Sequence, residues 1–194
     1  MIKKFLTFFL LTGLFLITRP QAGFCVDTVT QSQETQDVLQ NFRTVADEAI
    51  YAGSFNATAN RTPIKISMYM SKTGSPTGNV WLEIWSDSGG NPGSIITNGQ
   101  SANVDVSTLS GDWKDFTFST FPSLTNGSQY WLVMKGDYTY SGTHYANVGK
   151  NTADGSETVI RDNDLVSPFG YSASQTIAYK LWEDVAARRI ILIE

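Results

Sequence analysis

The chain has 194 residues, of which 18 are acidic, 14 are basic, one is cysteine and one is histidine. One cysteine excludes an internal disulfide and a zinc site built from several cysteines, and one histidine excludes a multi-histidine metal centre. The acidic balance and the lack of a basic patch argue against nucleic-acid binding, which depends on cations placed at phosphates.

The N-terminus has the pattern of a secretory signal peptide, predicted over residues 1–22. Two lysines precede an apolar run from Phe5 to Ile17, and a small-residue site ends at Ala22. This run is short against the roughly 20 residues that a membrane-spanning helix needs. We therefore expect cleavage after Ala22 or Gly23, and a secreted, periplasmic or cell-surface location without membrane association. Removal of residues 1–22 leaves 11 basic and 18 acidic residues, a composition that repels anionic lipid.

Residues 23–37 are rich in Gln, Thr, Ser and Asp without clear periodicity, so we expect a flexible lead-in. Residues 38–184 then alternate apolar and polar positions between turns rich in Gly, Pro, Asn and Asp, the pattern of antiparallel strands. The alternation is clearest over 62–70 and 79–87, with apolar Ile64, Ile66, Met68 and Met70 in the first and Val80, Leu82 and Ile84 in the second. Further strands are predicted at 38–43, 49–56, 101–106, 114–119, 128–138, 143–149, 156–161 and 175–183.

These strands predict an all-β fold, one antiparallel jelly-roll β-sandwich of about eight to ten strands over residues 38–184. In the strand over 114–119, Phe116 and Phe118 share one face and are expected in the core. Residues 185–194 contain an apolar run and are expected to form a C-terminal tail or an edge strand.

Outward aromatic residues suggest a ligand site. Trp81 and Trp85 lie opposite the apolar face of their strand with Glu83 between them, and Tyr69 has matching outward parity on the preceding strand. Indole rings stack on sugar rings while a carboxylate accepts hydrogen bonds from hydroxyls, so these four residues predict a carbohydrate site. The alternative is that a loop or the C-terminal segment covers this side. The remaining tryptophans expected in the core or at its rim are Trp113, Trp131 and Trp182.

A second aromatic cluster follows the strand over 128–138 and comprises Tyr138, Tyr140, His144 and Tyr145. Loops at the end of a sandwich often carry recognition, so this cluster is a second candidate for ligand contact. The lone histidine is interpreted as a surface hydrogen-bonding residue rather than as a catalytic base.

Acidic residues in the turns are able to bind calcium, which prefers carboxylate and carbonyl oxygens. The candidates are Asp87 with Asn91, and Asp162 with Asn163 and Asp164; the alternative is that they are solvated turn residues. Two carboxylates across a cleft would hydrolyse a glycosidic bond, but no pair stands out on adjacent inward strand positions.

Three further motifs are distinctive: the turn SDSGGNPG from Ser86 to Gly93, the W-x-x-F-x-F strand beginning at Trp113, and L-x-x-G-x-x-Y-W-L-V from Leu124 to Val133. Over residues 38–183 the chain resembles jelly-roll β-sandwich modules of bacterial and phage exported proteins, of the choice-of-anchor type and similar to carbohydrate-binding or galactose-binding-like domains. The resemblance implies an accessory binding or structural module.

The sequence therefore predicts a secreted, non-catalytic module that binds a glycan or polysaccharide. The alternative is a structural or adhesive module of a cell surface or phage particle, with a surface protein as its partner. A glycan hydrolase comes third.

Overall fold

The structure, a computed structural model, describes residues 27–42, 50–155, 157–162 and 171–184. The predicted signal peptide, its cleavage site and the segment 185–194 lie outside the described residues. The predicted antiparallel β-sandwich is confirmed, because the described chain folds into two antiparallel sheets of seven strands each. One 3-10 turn, Val106–Thr108, is the single helical element of these residues.

The strands are numbered in chain order. The first sheet contains β1 (Asp27–Gln33), β2 (Val38–Phe42), β4 (Lys65–Thr73), β8 (Asp112–Thr117), β10 (Tyr145–Asn151), β13 (Thr176–Ile177) and β14 (Tyr179–Asp184). The second sheet contains β3 (Ile50–Asn56), β5 (Asn79–Asp87), β6 (Pro92–Gln100), β7 (Val104–Asp105), β9 (Gln129–Gly136), β11 (Thr158–Asp162) and β12 (Tyr171–Ser174).

Strand β4 organises the first sheet. One of its edges pairs with β8, and the other pairs first with β14 and then with β10. Strand β1 flanks β14 and β2 flanks β10 on their far sides. The second sheet runs in the order β12, β11, β3, β9, β5 and β6, with β7 also pairing to β5.

The core lies between the two sheets and is built by the alternation that the sequence shows. Both predicted phenylalanines, Phe116 and Phe118, are buried in it, as expected. Burying an aliphatic or aromatic side chain of this kind stabilises the fold by about 1.5–3 kcal/mol. The core also takes in the alternate apolar residues of β4, β5 and β9, namely Ile66, Met68, Met70, Val80, Leu82, Ile84, Leu132 and Met134.

The expected flexible lead-in is wrong for residues 27–33, which form β1. This strand pairs with β14 from Asp27 opposite Asp184 to Gln33 opposite Tyr179. The polar sequence of this segment does not show the alternation of a strand, because β1 is at the edge of the sheet and its side chains are partly exposed. The described residues contain fourteen strands rather than eight to ten, since β1, β6 and β12 were not predicted and the predicted strand 175–183 is divided into β13 and β14.

Consecutive strands often lie in different sheets, which decides where outward residues point. The chain passes from β3 in the second sheet to β4 in the first and back to β5 in the second. The turn into β5 requires Gly78, which has φ of 120° and would place a Cβ 2.5 Å from the Tyr138 Cα. Outward residues of β4 and β5 therefore face opposite sides of the molecule.

Candidate functional site

Trp81, Glu83 and Trp85 lie on the outer face of the second sheet, because the alternate residues of β5 are in the core. Strand β9 supplies their neighbours. Lys135 lies opposite Trp81, and Trp131 lies opposite Trp85.

Glu83 is only 6% exposed although it is on an outer face. Its Oε1 accepts a hydrogen bond of 2.9 Å from Trp81 Nε1, and its Oε2 accepts one of 2.8 Å from Trp85 Nε1. The Lys135 ammonium lies 2.9 Å from the same Oε2. A buried carboxylate is costly without such partners, so the three donors stabilise its charge. We call Trp81, Glu83, Trp85 and Lys135 the indole clasp.

Both indoles of the clasp are half-buried, so the predicted platform is neither fully exposed nor covered. Trp85 packs against the fully buried Trp131, which belongs to a small apolar cluster on this outer side. The Lys135 Nζ lies 4.8 Å from the centroid of the Trp85 ring, within range of a cation–π contact. Trp85 therefore has two described neighbours, Trp131 and Lys135, besides Glu83, and Trp81 has fewer described contacts.

The structure separates Tyr69 from the two tryptophans, which corrects the predicted grouping. Tyr69 is on β4 and faces outward from the first sheet, on the opposite side of the sandwich. Its hydroxyl donates a hydrogen bond of 2.6 Å to the Gly111 carbonyl, and its ring meets Trp113 edge to face at 5.8 Å. Strand parity was correct, but parity does not identify the sheet to which a strand belongs.

The four residues of the predicted loop cluster also lie in different environments. Tyr138 is 1% exposed and belongs to the core, so its proposed role as a surface ligand contact is wrong. Its ring occupies space left by Gly136, where an added Cβ would come 2.9 Å from Tyr138 Cδ1. Of the other members, Tyr140 packs at the edge of the core, His144 is exposed and accepts a hydrogen bond of 2.8 Å from the Ser75 N–H, and Tyr145 is half-buried on β10.

Asp87 has described partners at both oxygens. Its Oδ1 accepts a hydrogen bond of 2.9 Å from Trp131 Nε1, and its Oδ2 accepts one of 2.9 Å from the Gly90 N–H. The Asn91 carbonyl accepts from the Ser88 N–H and so closes the same turn. For Asp162 the backbone is described in β11, whereas Asn163 and Asp164 lie outside the described residues. Across the described ranges, no group of three or more His, Cys, Asp or Glu side chains is placed to hold a metal, and calcium binding stays a prediction.

The outer face of the first sheet carries polar residues together with Trp113 and Trp182, both of which were expected in the core or at its rim and are half-buried. Trp182 Nε1 donates a hydrogen bond of 2.7 Å to Ser67 Oγ. Lys65 lies 3.0 Å from Asp115 and 4.7 Å from the Trp182 ring centroid, and Lys180 lies 4.2 Å from the Trp113 ring centroid. Burial alone would raise the pKa of Asp115, but the Ser67 hydroxyl and the Lys65 ammonium together lower it. The alternation of Trp113 with Phe116 and of Trp182 with Leu181 could have revealed the outward tryptophans.

No protein-family model, curated protein or solved structure matches this chain. The resemblance to exported jelly-roll modules therefore stays a prediction. None of the described residues forms a helix long and apolar enough to cross a bilayer.

Proposed function

We propose that this chain is an exported, non-catalytic module that binds carbohydrate at the indole clasp. The observation that carries the proposal is the pairing of both indole N–H groups with one buried carboxylate, Glu83, on an outer sheet face. This pairing fixes the orientation of two half-buried aromatic rings before any ligand arrives.

Pre-organised rings suit sugar binding. A ring that is already held in place loses little conformational entropy when a ligand stacks on it, so more of the contact energy appears as affinity. The aromatic surface of Trp81 and Trp85 matches the apolar face of a pyranose, and the nearby Lys135 is a hydrogen-bond donor at the rim. Glu83 positions the rings in this proposal, and its carboxylate is already engaged by three donors, which supports binding rather than hydrolysis.

The test is a titration of the protein with soluble polysaccharides, using Trp81→Ala as the main variant. Trp81 is the better choice because Trp85 also packs on Trp131 and supports the fold. We expect Trp81→Ala to weaken binding by about 1 kcal/mol or more while it costs less stability than the roughly 3–5 kcal/mol of a buried aromatic. The matched control is Phe121→Ala, which removes an aromatic ring that is 48% exposed and lies outside the clasp.

Two outcomes would count against the clasp. If Trp81→Ala unfolds the protein, the indole is a structural residue. If Trp81→Ala and Trp85→Ala both fold and bind as the parent does, the carbohydrate is held elsewhere.

A structural or adhesive module is the second candidate, and the exposed apolar pair Val38 and Leu39 on β2 favours it. Exposed apolar side chains beside a sheet edge are suited to contact with another protein. Analytical ultracentrifugation of the parent and of Leu39→Lys tests this function. Assembly that the lysine disperses would support it, whereas a monomer at every concentration would argue against self-assembly through this edge.

A further inference from the structure

The only histidine of the chain, His144, joins two connections between strands. The first is the β4–β5 turn, residues 74–78, and the second is the β9–β10 loop, residues 137–144. The exposed imidazole accepts at Nδ1 a hydrogen bond of 2.8 Å from the Ser75 N–H. The backbone of His144 is fixed by a tight turn with Ser141, in which each residue donates its N–H to the carbonyl of the other. One side chain thus holds the tip of the loop to the turn.

Gly74 leaves the space that the imidazole occupies. Its φ is 66°, in the left-handed region that glycine adopts most easily. A Cβ added at this position would overlap His144 Nδ1 and the Thr143 carbonyl oxygen. The absence of a side chain at position 74 therefore allows the ring to lie against the turn.

The charged groups of the neighbouring elements are engaged with the backbone. The Lys72 ammonium, at the end of β4, donates hydrogen bonds to the carbonyls of Ser107 and Leu109. The Asp137 carboxylate, at the start of the loop, accepts one of 2.7 Å from the Asn79 N–H. The other titratable side chains of the loop and of the start of β10 are the phenols of Tyr138, Tyr140 and Tyr145. Among the described contacts, the imidazole nitrogen is therefore paired with a backbone N–H and with no charge.

This hydrogen bond depends on the protonation state of the ring. A neutral imidazole accepts a hydrogen bond at one nitrogen and donates from the other, whereas an imidazolium donates from both. Since Nδ1 faces an N–H, the site fits the neutral ring with its proton on Nε2. A proton added to Nδ1 would bring two donors together, and the bond from Ser75 would be lost. Histidine side chains commonly change charge between about pH 5 and pH 8.

We propose that His144 is a pH-sensitive latch, which holds the β9–β10 loop to the β4–β5 turn at neutral pH and releases it in mild acid. The release is local, because the Thr139 N–H still donates a hydrogen bond of 2.7 Å to the Thr77 carbonyl and no titratable side chain takes part in that bond. Tyr140 lies between this bond and His144 and packs at the edge of the core. Acid would therefore loosen the packing of Tyr140 while the strands stay paired. The latch shares no residue with the indole clasp, so it does not rest on carbohydrate binding.

NMR spectroscopy of the protein between about pH 8 and pH 5 tests the latch. At the higher pH, long-range proton–nitrogen spectra should show His144 with its proton on Nε2 and none on Nδ1. The protection of the Ser75 amide against hydrogen exchange, corrected for the intrinsic pH dependence of exchange, should fall by about tenfold on acidification.

Two substitutions of His144 separate the hydrogen bond from the charge. His144→Asn places an acceptor oxygen near the position of Nδ1 and does not titrate, so it should keep Ser75 protected at both pH values. His144→Ala has no acceptor and should leave Ser75 unprotected at both. Glu157→Gln is the matched control, because burial raises the pKa of Glu157 to about 8 and that group titrates in the same range. It should leave the transition at Ser75 unchanged.

Each result decides for or against the latch. Equal protection of Ser75 at both pH values in the parent overturns it, and so does a proton found on Nδ1 in the neutral ring. A transition that persists in His144→Asn, or disappears in Glu157→Gln, assigns the pH dependence to another group. Parent-like protection of Ser75 in His144→Ala shows that the imidazole does not hold the turn.

Discussion

Glu83 holds both indole rings of the clasp in position on the outer face of the second sheet. Its carboxylate holds Trp81 and Trp85 by their N–H groups and is balanced by Lys135. A glutamine at this position keeps the shape of the side chain but has one acceptor oxygen and no charge. One indole and the lysine would then lose a strong partner.

Glu83→Gln is therefore expected to destabilise the protein by about 1–3 kcal/mol and to change its tryptophan fluorescence. Urea unfolding followed by fluorescence measures both effects. The control is Asp115→Asn on the opposite face, where the carboxylate is more exposed and the expected loss is below about 1 kcal/mol. Equal stability of Glu83→Gln and the parent would show that the buried carboxylate does not hold the rings.

A second prediction at the residue scale concerns Phe116, which is in β8, and Phe118, which directly follows this strand. Phe116 and Phe118 are both buried in the core between the sheets. Either Phe→Ala change should lower the free energy of unfolding by about 3–5 kcal/mol, because it removes apolar contacts and leaves a cavity. Calorimetry should show no comparable change for the exposed Phe121→Ala, and a parent-like Phe118→Ala would contradict the packing.

At the scale of elements, the side chain of Gln31 connects β1 to the second sheet. Gln31 Nε2 donates hydrogen bonds of 2.7 Å to the Asn56 carbonyl and 3.0 Å to the Tyr179 hydroxyl. Its Oε1 accepts hydrogen bonds of 3.1 Å from the Thr58 N–H and 3.2 Å from the Thr58 hydroxyl. The side chain thereby ties the edge of the first sheet to the end of β3 in the second.

Gln31→Ala should therefore cost about 1–2 kcal/mol and increase hydrogen exchange along β1. The backbone amides of β1 and β14, followed by mass spectrometry, report the second effect. Ser32→Ala is the matched control, since the Ser32 hydroxyl bonds only to the exposed Glu34 among the described contacts. Unchanged exchange in Gln31→Ala would mean that the ladder with β14 holds β1 without this side chain.

Period-two alternation predicted the strongly patterned strands well, and β5 has the predicted bounds of 79–87. Alternation fails where an edge strand is polar, as in β1, or where turn residues interrupt it, as in β6. It also gives the face of a strand without naming its sheet, which is why Tyr69 was wrongly grouped with Trp81. Tyr138 was misplaced because its burial depends on the distant Gly78, which packs against its backbone, as well as on Gly136 two residues before it.

At the scale of the whole molecule, one half-buried acid, Glu157, links folding to pH. Burial, and then the negative charge of Asp154, raise the pKa of Glu157 to about 8. Its buried Oε2 has no hydrogen-bond partner among the described residues. The folded protein thus keeps a proton on Glu157 at neutral pH, whereas the unfolded chain releases it near the ordinary value of 4.5.

The sign of the effect follows from proton linkage. Between pH 4.5 and about 8 the folded state binds the extra proton, so the free energy of unfolding should fall as the pH rises through this window and level off above it. Glu157→Gln mimics the protonated form, and we expect it to remove this slope and to gain on the order of 4 kcal/mol at pH 8, since each unit of pKa shift corresponds to about 1.4 kcal/mol. Urea midpoints at several pH values measure the slope.

Glu34→Gln is the control, because a hydrogen bond from Lys180 lowers the pKa of that exposed carboxyl and it titrates below the window. A slope that persists in Glu157→Gln would assign the pH dependence to other groups, and a parent without a slope would mean that Glu157 is ionised in the folded protein.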